Sequence, residues 1–223
     1  MTPLPDPIDR KRLVEQGYDQ VAADYALLEG ESAWPRMRWL GKVTSRLPPG
    51  SSFLDLGCGS GDPADVEIAK AHQITGVDIS RVQVAHARKN VPAGAFHHAD
   101  AASVDFPKGS FDAVVSFYAL EHIPRDEHAP LIGRIYRWLR PGGYLLLAIE
   151  AGEADEVGEW LGVPMYFSSF GPEQLKDSIE RAGFETIETA IEPQREEERD
   201  IPYFWLLAQK GPGSAVGSHL PST

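Results

Sequence analysis

The chain has one cysteine in 223 residues, so no internal disulfide can form and a reducing, cytoplasmic setting is expected. It has no apolar run approaching the roughly 18 residues that a membrane-spanning helix needs. The first stretch, "MTPLPDPIDRKR", lacks the apolar centre of a secretory leader. Cations are scarce: 21 Lys and Arg face 33 Asp and Glu, a formal charge of −12. Surfaces that follow nucleic-acid phosphates or anionic lipid need clustered Lys and Arg. Neither partner is expected, which leaves a small molecule. The assembly state, monomer or homodimer, is not legible.

What is present is ordinary for a globular domain, with 42% hydrophobic residues. The ends, residues 1–7 and 211–223, are rich in Pro, Gly and Ser and are expected to be mobile, leaving one domain over 8–210. Val14, Tyr18, Val21, Tyr25 and Leu28 recur at helical spacing, and a second helix is predicted through "WPRMRWLGKVTSRL", stopped at Pro48-Pro49-Gly50. Strands and helices then alternate. "SFLDLG", "QITGVDIS", "GAFHHADA", "FDAVVSFYA" and "YLLLAIE" read as strands. "DPADVEIAKAH", "RVQVAHARKN", "DEHAPLIGRIYRWLR" (stopped at Pro141-Gly142-Gly143) and "GPEQLKDSIERAG" read as helices. Two further strands, "FETIETAIE" and "YFWLLAQK", end the pattern with too little chain between them for a crossover, so the last strand is predicted antiparallel. The acidic run "EEERD" reads as a solvated turn joining them. The sum is an α/β fold with a seven-stranded, mostly parallel sheet covered by helices on both faces. Ligands of such sheets bind beyond the carboxyl ends of the strands.

The glycines sit at one of those ends, in "DLGCGSGDP". Counted from Gly57, the third glycine of a dinucleotide fingerprint arrives one residue early, at Gly61, and no Lys-Ser or Lys-Thr completes a phosphate loop. Asp55 and Asp62 flank the loop and no cation lies in it, which suits a cationic or hydroxyl-bearing ligand better than a polyphosphate. Asp78 ends the next strand about 20 residues on, where a carboxylate accepts from a ribose diol. Asp100 ends the third, where it accepts from an adenine amino group or, on a plainer reading, caps the following helix. These residues describe an adenosine half joined to a positively charged half without phosphate.

That combination resembles the class I, Rossmann-like S-adenosylmethionine-dependent methyltransferases, over roughly Tyr18 to Lys210. "DLGCGSG", "GVDIS", "HADA", "FDAVVSFYALEHIP", "WLRPGGYLLL" and "YDQVAADY" are similar to family motifs in the family's order. The resemblance implies S-adenosylmethionine as cofactor and S-adenosylhomocysteine as product. It implies that Gly57, Cys58 and Gly59 wrap the methionine portion, with Asp55 near its amino group. Asp78 would hold the ribose, Ile79 the adenine face, and Asp100 with Ala101 the adenine edge. Ser116 and Phe117 would line the methionine side. Residues 8–48 become a helical cap over the cofactor, and 151–171 a substrate-side insertion or lid.

Other residues admit two readings. Cys58 is better suited to packing than to nucleophilic catalysis. Tyr18 and Tyr25 pack a helix face or present rings to a sulfonium. His122 is either a general base with a pKa near neutral or an organiser of its loop. Trp160, Met165, Tyr166 and Phe167 wall an apolar or aromatic acceptor or cap the core. No metal cluster is expected: His97 and His98 point to opposite sides of a strand. The [DN]-P-P-[YFW] signature of amino-group methylation on DNA or protein glutamine is absent. The expected enzyme is therefore metal-independent, moving a methyl group to O, N or S of a small molecule, similar to quinone-biosynthesis and natural-product enzymes. The rivals are a non-catalytic cofactor-binding module, a nicotinamide-dependent oxidoreductase, and an aminopropyl transferase, for which "SFYALEH" offers only Glu121 as a polyamine-binding acid.

Overall fold

The computed structural model describes residues 5–31, 33–196 and 199–212, without the side chains at 7–8, 26–31, 33–34 and 196. The expectations for residues 1–4, 213–223 and the Leu28 side chain fall outside them. The chain runs α1 (Pro7–Glu31), α2 (Ala33–Thr44), β1 (Ser52–Leu56), α3 (Ala64–Ile68), β2 (Gln73–Asp78), α4 (Arg81–Asn90), β3 (Ala95–His98) and β4 (Phe111–Phe117). A 3-10 turn (Leu120–His122) leads to α5 (Arg125–Trp138), β5 (Leu139–Glu150), β6 (Ala154–Trp160), β7 (Val163–Ser169), α6 (Pro172–Arg181), β8 (Phe184–Glu196) and β9 (Arg199–Lys210).

Seven strands form one sheet in the order β3-β2-β1-β4-β5-β9-β8. β9 is antiparallel to both of its neighbours, and the pairs from β3 through β5 are parallel. The central strands are apolar on both faces because both are covered. Phe53, Ala113, Val115, Leu146 and Leu207 pack with Trp39 and Leu40 of α2, Ile68 of α3 and Val84 of α4. The alternate residues Leu54, Val114, Leu145, Leu147 and Leu206 pack with Leu131, Ile135 and Trp138 of α5 and with Leu175 and Ile179 of α6. Strand order reverses between β1 and β4, where a crevice opens at the strand ends.

Four elements differ from expectation. Residues 151–171 are not a loop: β6 and β7 form an antiparallel hairpin, with Trp160 paired to Val163. Its two-residue turn holds Leu161 at φ +49° and Gly162 at φ +77°, the primed geometry that matches strand twist. Leu-Gly is a weak signal for such a turn, and "ADEVGEW" is too polar to read as a strand. α3 is only five residues long. α5 stops at Trp138 and β5 begins at once at Leu139, ahead of the expected Pro141-Gly142-Gly143 stop, since Pro141 disfavours helical geometry at Arg140. β8 extends through Glu196 as a long hairpin with β9, so the acidic run is mostly strand; Glu197 and Glu198 lie outside the described residues.

Candidate functional site

Gly57 follows β1 with φ +81°, and its amide donates to the Val77 carbonyl at 2.7 Å. A Cβ there would stand 2.1 Å from the Cβ of Ala119, so the glycine is required by the protein's own packing as well as by its dihedral. Gly59, at φ +53°, donates its amide to Asp78 Oδ2 at 2.8 Å. Asp78 Oδ1 accepts from the Ser80 amide at 2.8 Å, and Ser80 caps α4 by accepting from Gln83 N. One carboxylate thus fixes the glycine turn and the start of the next helix.

A cavity of about 60 Å³ lies over this turn, space for a handful of waters. Gly57, Gly59, Asp78, Ile79, Asp100 and Ala101 line it from the strand ends, with Phe117 from β4. Tyr18 and Tyr25 of α1 close it. Three expected residues are elsewhere. Asp55 is buried within the sheet, 2% exposed, and Cys58 packs beside Gly76. Ser116 turns its hydroxyl to the Leu56 carbonyl at 2.7 Å, bridging β4 to β1 instead of facing the cavity. Burial, reinforced by Asp78, Asp65 and Asp55, pushes the Cys58 thiol well above its ordinary pKa, which disfavours the thiolate that a nucleophile needs.

Asp100 is held by its own turn and by α1. It accepts from Ala102 N at 2.8 Å, from Ser103 Oγ at 2.6 Å and from Lys11 Nζ at 2.7 Å. Lys11 also pairs with Glu127 at 2.6 Å. Burial opposes ionisation of Asp100, but the Lys11, Ser103 and Ala102 donors outweigh it and hold the pKa below the ordinary value. Sequence reasoning missed both Lys11 and Asp19. Asp19 accepts from Ser80 Oγ at 2.6 Å and from Val82 N at 3.2 Å, docking α1 onto the N-terminus of α4. Their only sequence signal is their place on the polar flank of an amphipathic helix.

A second cavity of about 330 Å³ adjoins the first. Tyr18, Tyr25, Tyr118 and His122 line both and form the partition between them. Tyr118 was not anticipated. It leaves β4 at φ +58°, a strained conformation for a non-glycine residue, and its hydroxyl donates to Gln194 Oε1 at 2.6 Å. His122 is 7% exposed. Its Nδ1 lies 2.8 Å from the Tyr166 carbonyl, which only accepts, so the proton is on Nδ1. Nε2 is then the acceptor for the Tyr18 hydroxyl at 2.9 Å. Burial lowers its pKa to about 4, only partly offset by that carbonyl. The expectation of a near-neutral pKa fails for this reason: burial disfavours the imidazolium by more than the Tyr166 carbonyl favours it.

The shift carries a stability prediction. The unfolded histidine takes up its proton below about pH 6.5 and the folded one only near 4. The contribution is therefore complete above pH 6.5 and lost as pH falls through that window. Between pH 7 and pH 4, wild type should lose up to about 3 kcal/mol more unfolding free energy than His122→Asn. Urea unfolding of both proteins at pH 7, 5.5 and 4 measures this, and parallel losses would refute it.

Of the expected acceptor walls, Trp160 and Phe167 line the second cavity, whereas Met165 and Tyr166 do not. Met165 is buried with Val14 beneath α1, and the Tyr166 hydroxyl is held between Arg10 (3.3 Å) and Asp155 (2.8 Å). Nor is the chamber apolar, since Glu121, Glu150, Glu153, Glu156 and Glu159 face it. Among the described residues no group of His, Cys, Asp and Glu is placed to hold a metal ion, and no helix is long and apolar enough to cross a membrane.

Residues 53–143 match the family described as "Methyltransferase domain". The chain is 34% identical over 145 residues to 2-methyl-6-phytyl-1,4-hydroquinone methyltransferase of Synechocystis sp., covering 63% of this chain and 44% of that protein. The chain spans about half the length of the curated relatives it matches. Among solved structures it is similar to 1,6-didemethyltoxoflavin-N1-methyltransferase of Burkholderia thailandensis, seen with bound 1,6-didemethyltoxoflavin and S-adenosylhomocysteine. The TM-score is 0.74 at 18% identity, covering 95% of this chain and 93% of that one. It is also similar to the [4+2]-cyclase SpnF, with a TM-score of 0.70 at 24% identity, covering 92% and 97%. One fold thus carries methyl transfer in one relative and cyclisation in another, so the reaction has to be argued from the site.

Proposed function

We propose that the chain is a class I, Rossmann-like S-adenosylmethionine-dependent methyltransferase, as the match of residues 53–143 to a methyltransferase domain supports, and that it methylates a small molecule held in the second cavity. One observation carries the reading. A cavity floored by Gly57, Gly59 and Asp78 is separated from a larger one only by Tyr18, Tyr25, Tyr118 and His122.

The first cavity fits the cofactor in chemistry. In this reading Asp78 accepts from a ribose diol, Ile79 and Ala101 flank an adenine, and Asp100 accepts from its amino group. The glycine turn brings backbone close, without a cation to attract phosphate. Lys11 reaches across to Asp100, so admission of an adenosine requires Lys11 to withdraw. Bound there, S-adenosylmethionine supplies a methyl group on a sulfonium, which an acceptor lone pair takes while the carbon–sulfur pair leaves with sulfur.

The protein's part is alignment and exclusion of water. The partition residues decide how the two ligands meet. Tyr18, held by His122, fixes a hydroxyl oxygen at the junction, and the aromatic rings present electron-rich faces to a sulfonium. In this reading neither Cys58, whose thiolate burial disfavours, nor His122, a weak base at its lowered pKa, is given a proton-transfer role, and the acceptor brings its own reactive lone pair. Titration calorimetry tests the reading: S-adenosylhomocysteine should bind and NADH should not. Binding of NADH in preference would return the glycine turn to the oxidoreductases. Cofactor binding without turnover on any acceptor would favour a non-catalytic module.

A further inference from the structure

Resting on the reading of the first cavity as the cofactor chamber, we infer that Lys11 holds the place of the adenine amino group on Asp100 and gives it up by passing wholly to Glu127. The two residues set cofactor affinity in opposite senses. Lys11 lowers it and Glu127 raises it.

Lys11 leaves the polar flank of α1 and stands between two carboxylates, its side chain 19% exposed. Its Nζ lies 2.7 Å from Asp100 Oδ2 and 2.6 Å from Oε2 of Glu127, in the first turn of α5. Asp100 is otherwise served by its own turn, with Oδ1 accepting from Ala102 N and Oδ2 from Ser103 Oγ. Among the described residues, Lys11 is therefore the donor to Asp100 that comes from another element, and it can leave without disturbing that turn. The adenine amino group is a neutral donor. Exchanging an ammonium for it gives up a charge-assisted contact, so Lys11 competes with the cofactor.

The same contact closes a boundary. Lys11, Ile79 and Asp100 line both the first cavity and a neighbouring one of about 430 Å³, which exposed Arg12 and His98 also line. At about 60 Å³ the first cavity is small for a nucleoside, since sites for such ligands run from about 300 Å³ upward. Parting Lys11 from Asp100 joins the two spaces, so adenosine entry and loss of this contact are one event.

Release of Asp100 does not release α1. Glu15 meets His98 Nε2 at 3.3 Å, and Asp19 accepts from Ser80 Oγ and Val82 N. Residues 11, 15 and 19 thus form one row along the helix. The partners of Glu15 and Asp19 stand outside the lining of the first cavity. An ammonium drawn from one carboxylate and left without another would pay for its partial burial. Glu127 supplies that second partner and keeps α1 tied to α5 while adenine occupies Asp100.

Calorimetry with S-adenosylhomocysteine on wild type and four variants tests this, with thermal melts to confirm folding. Lys11→Met keeps the stem and removes the ammonium, and should bind about threefold tighter or more. Glu127→Gln should bind about threefold more weakly or worse. In the Lys11→Met background Glu127→Gln should change nothing, because Glu127 acts through Lys11. Arg12→Met removes an adjacent charge paired with Asp9 and should leave affinity as it is, which separates competition from net charge. The inference is overturned if Lys11→Met binds no tighter than wild type or Arg12→Met matches its gain. It is equally overturned if Glu127→Gln binds as wild type does, or still weakens binding once Lys11 is gone. Failure of S-adenosylhomocysteine to bind both wild type and Lys11→Met would remove the cofactor reading, and this inference with it.

Discussion

Asp78→Ala should weaken S-adenosylhomocysteine binding by on the order of 2 to 4 kcal/mol, roughly 30- to 1,000-fold in Kd. The residue is 9% exposed at the end of β2, so its charge acts where water screens poorly. Its two oxygens already accept from Gly59 N and Ser80 N, both at 2.8 Å. A carboxylate offers about four acceptor directions, enough for these donors and a ribose diol. On the proposed reading, alanine removes the diol contact, and it also releases the Gly59 turn that Asp78 holds. Asp78→Asn keeps one acceptor oxygen and should fall between the two. Calorimetry on the three proteins measures the effect, with thermal melts to separate lost binding from lost fold. Wild-type affinity in a folded Asp78→Ala protein would dismiss the ribose role.

Gly57→Ala should be the most damaging single methyl that can be added near the site. At φ +81° an alanine carries a conformational cost of about 1 to 2 kcal/mol, and its Cβ would lie 2.1 Å from that of Ala119. Neither carbon can rotate away, so the turn or the segment carrying Ala119 has to shift, and both line the first cavity. A total loss of about 2 to 4 kcal/mol, or roughly 5 to 15 °C in Tm, is expected, with S-adenosylhomocysteine affinity falling as well. Gly41→Ala is the control. It lies within α2 with nothing within 4 Å of the added carbon, and should be neutral or stabilising by up to about 1 kcal/mol. Equal melting temperatures for wild type and Gly57→Ala would contradict the packing argument.

The lining of the first cavity, proposed above as the cofactor chamber, was legible because its determinants are local. A glycine turn, a carboxylate at the end of β2 and another at the end of β3 each follow from a short stretch read against strand geometry. Asp78, Ile79, Asp100 and Ala101 accordingly line the cavity they were assigned to. Ser116 was misassigned because strand alternation says which residues share a face but not which of two adjacent residues faces the crevice. Its hydroxyl instead ties β4 to the Leu56 carbonyl.

The second cavity was not legible, because its parts are far apart in sequence and weak in signal. The hairpin of β6 and β7 carries polar residues on exposed positions and an uncommon turn dipeptide, so neither periodicity nor turn chemistry announced it. Tyr118 reached the partition through a left-handed backbone that no residue type predicts. The His122 pKa depends on a Tyr166 carbonyl 44 positions away and on burial by α1 and β7.

By itself the sequence determined the alternation of strands and helices, the antiparallel last strand and the chemistry of the glycine turn, since hydrophobic period and backbone dihedral preference act over a few residues. Only the tertiary structure decided the neutrality of His122, the pairing of Lys11 with Asp100 and the acidic lining of the second chamber. Burial and charge proximity are properties of what the fold brings together, and no local stretch of this chain contains them.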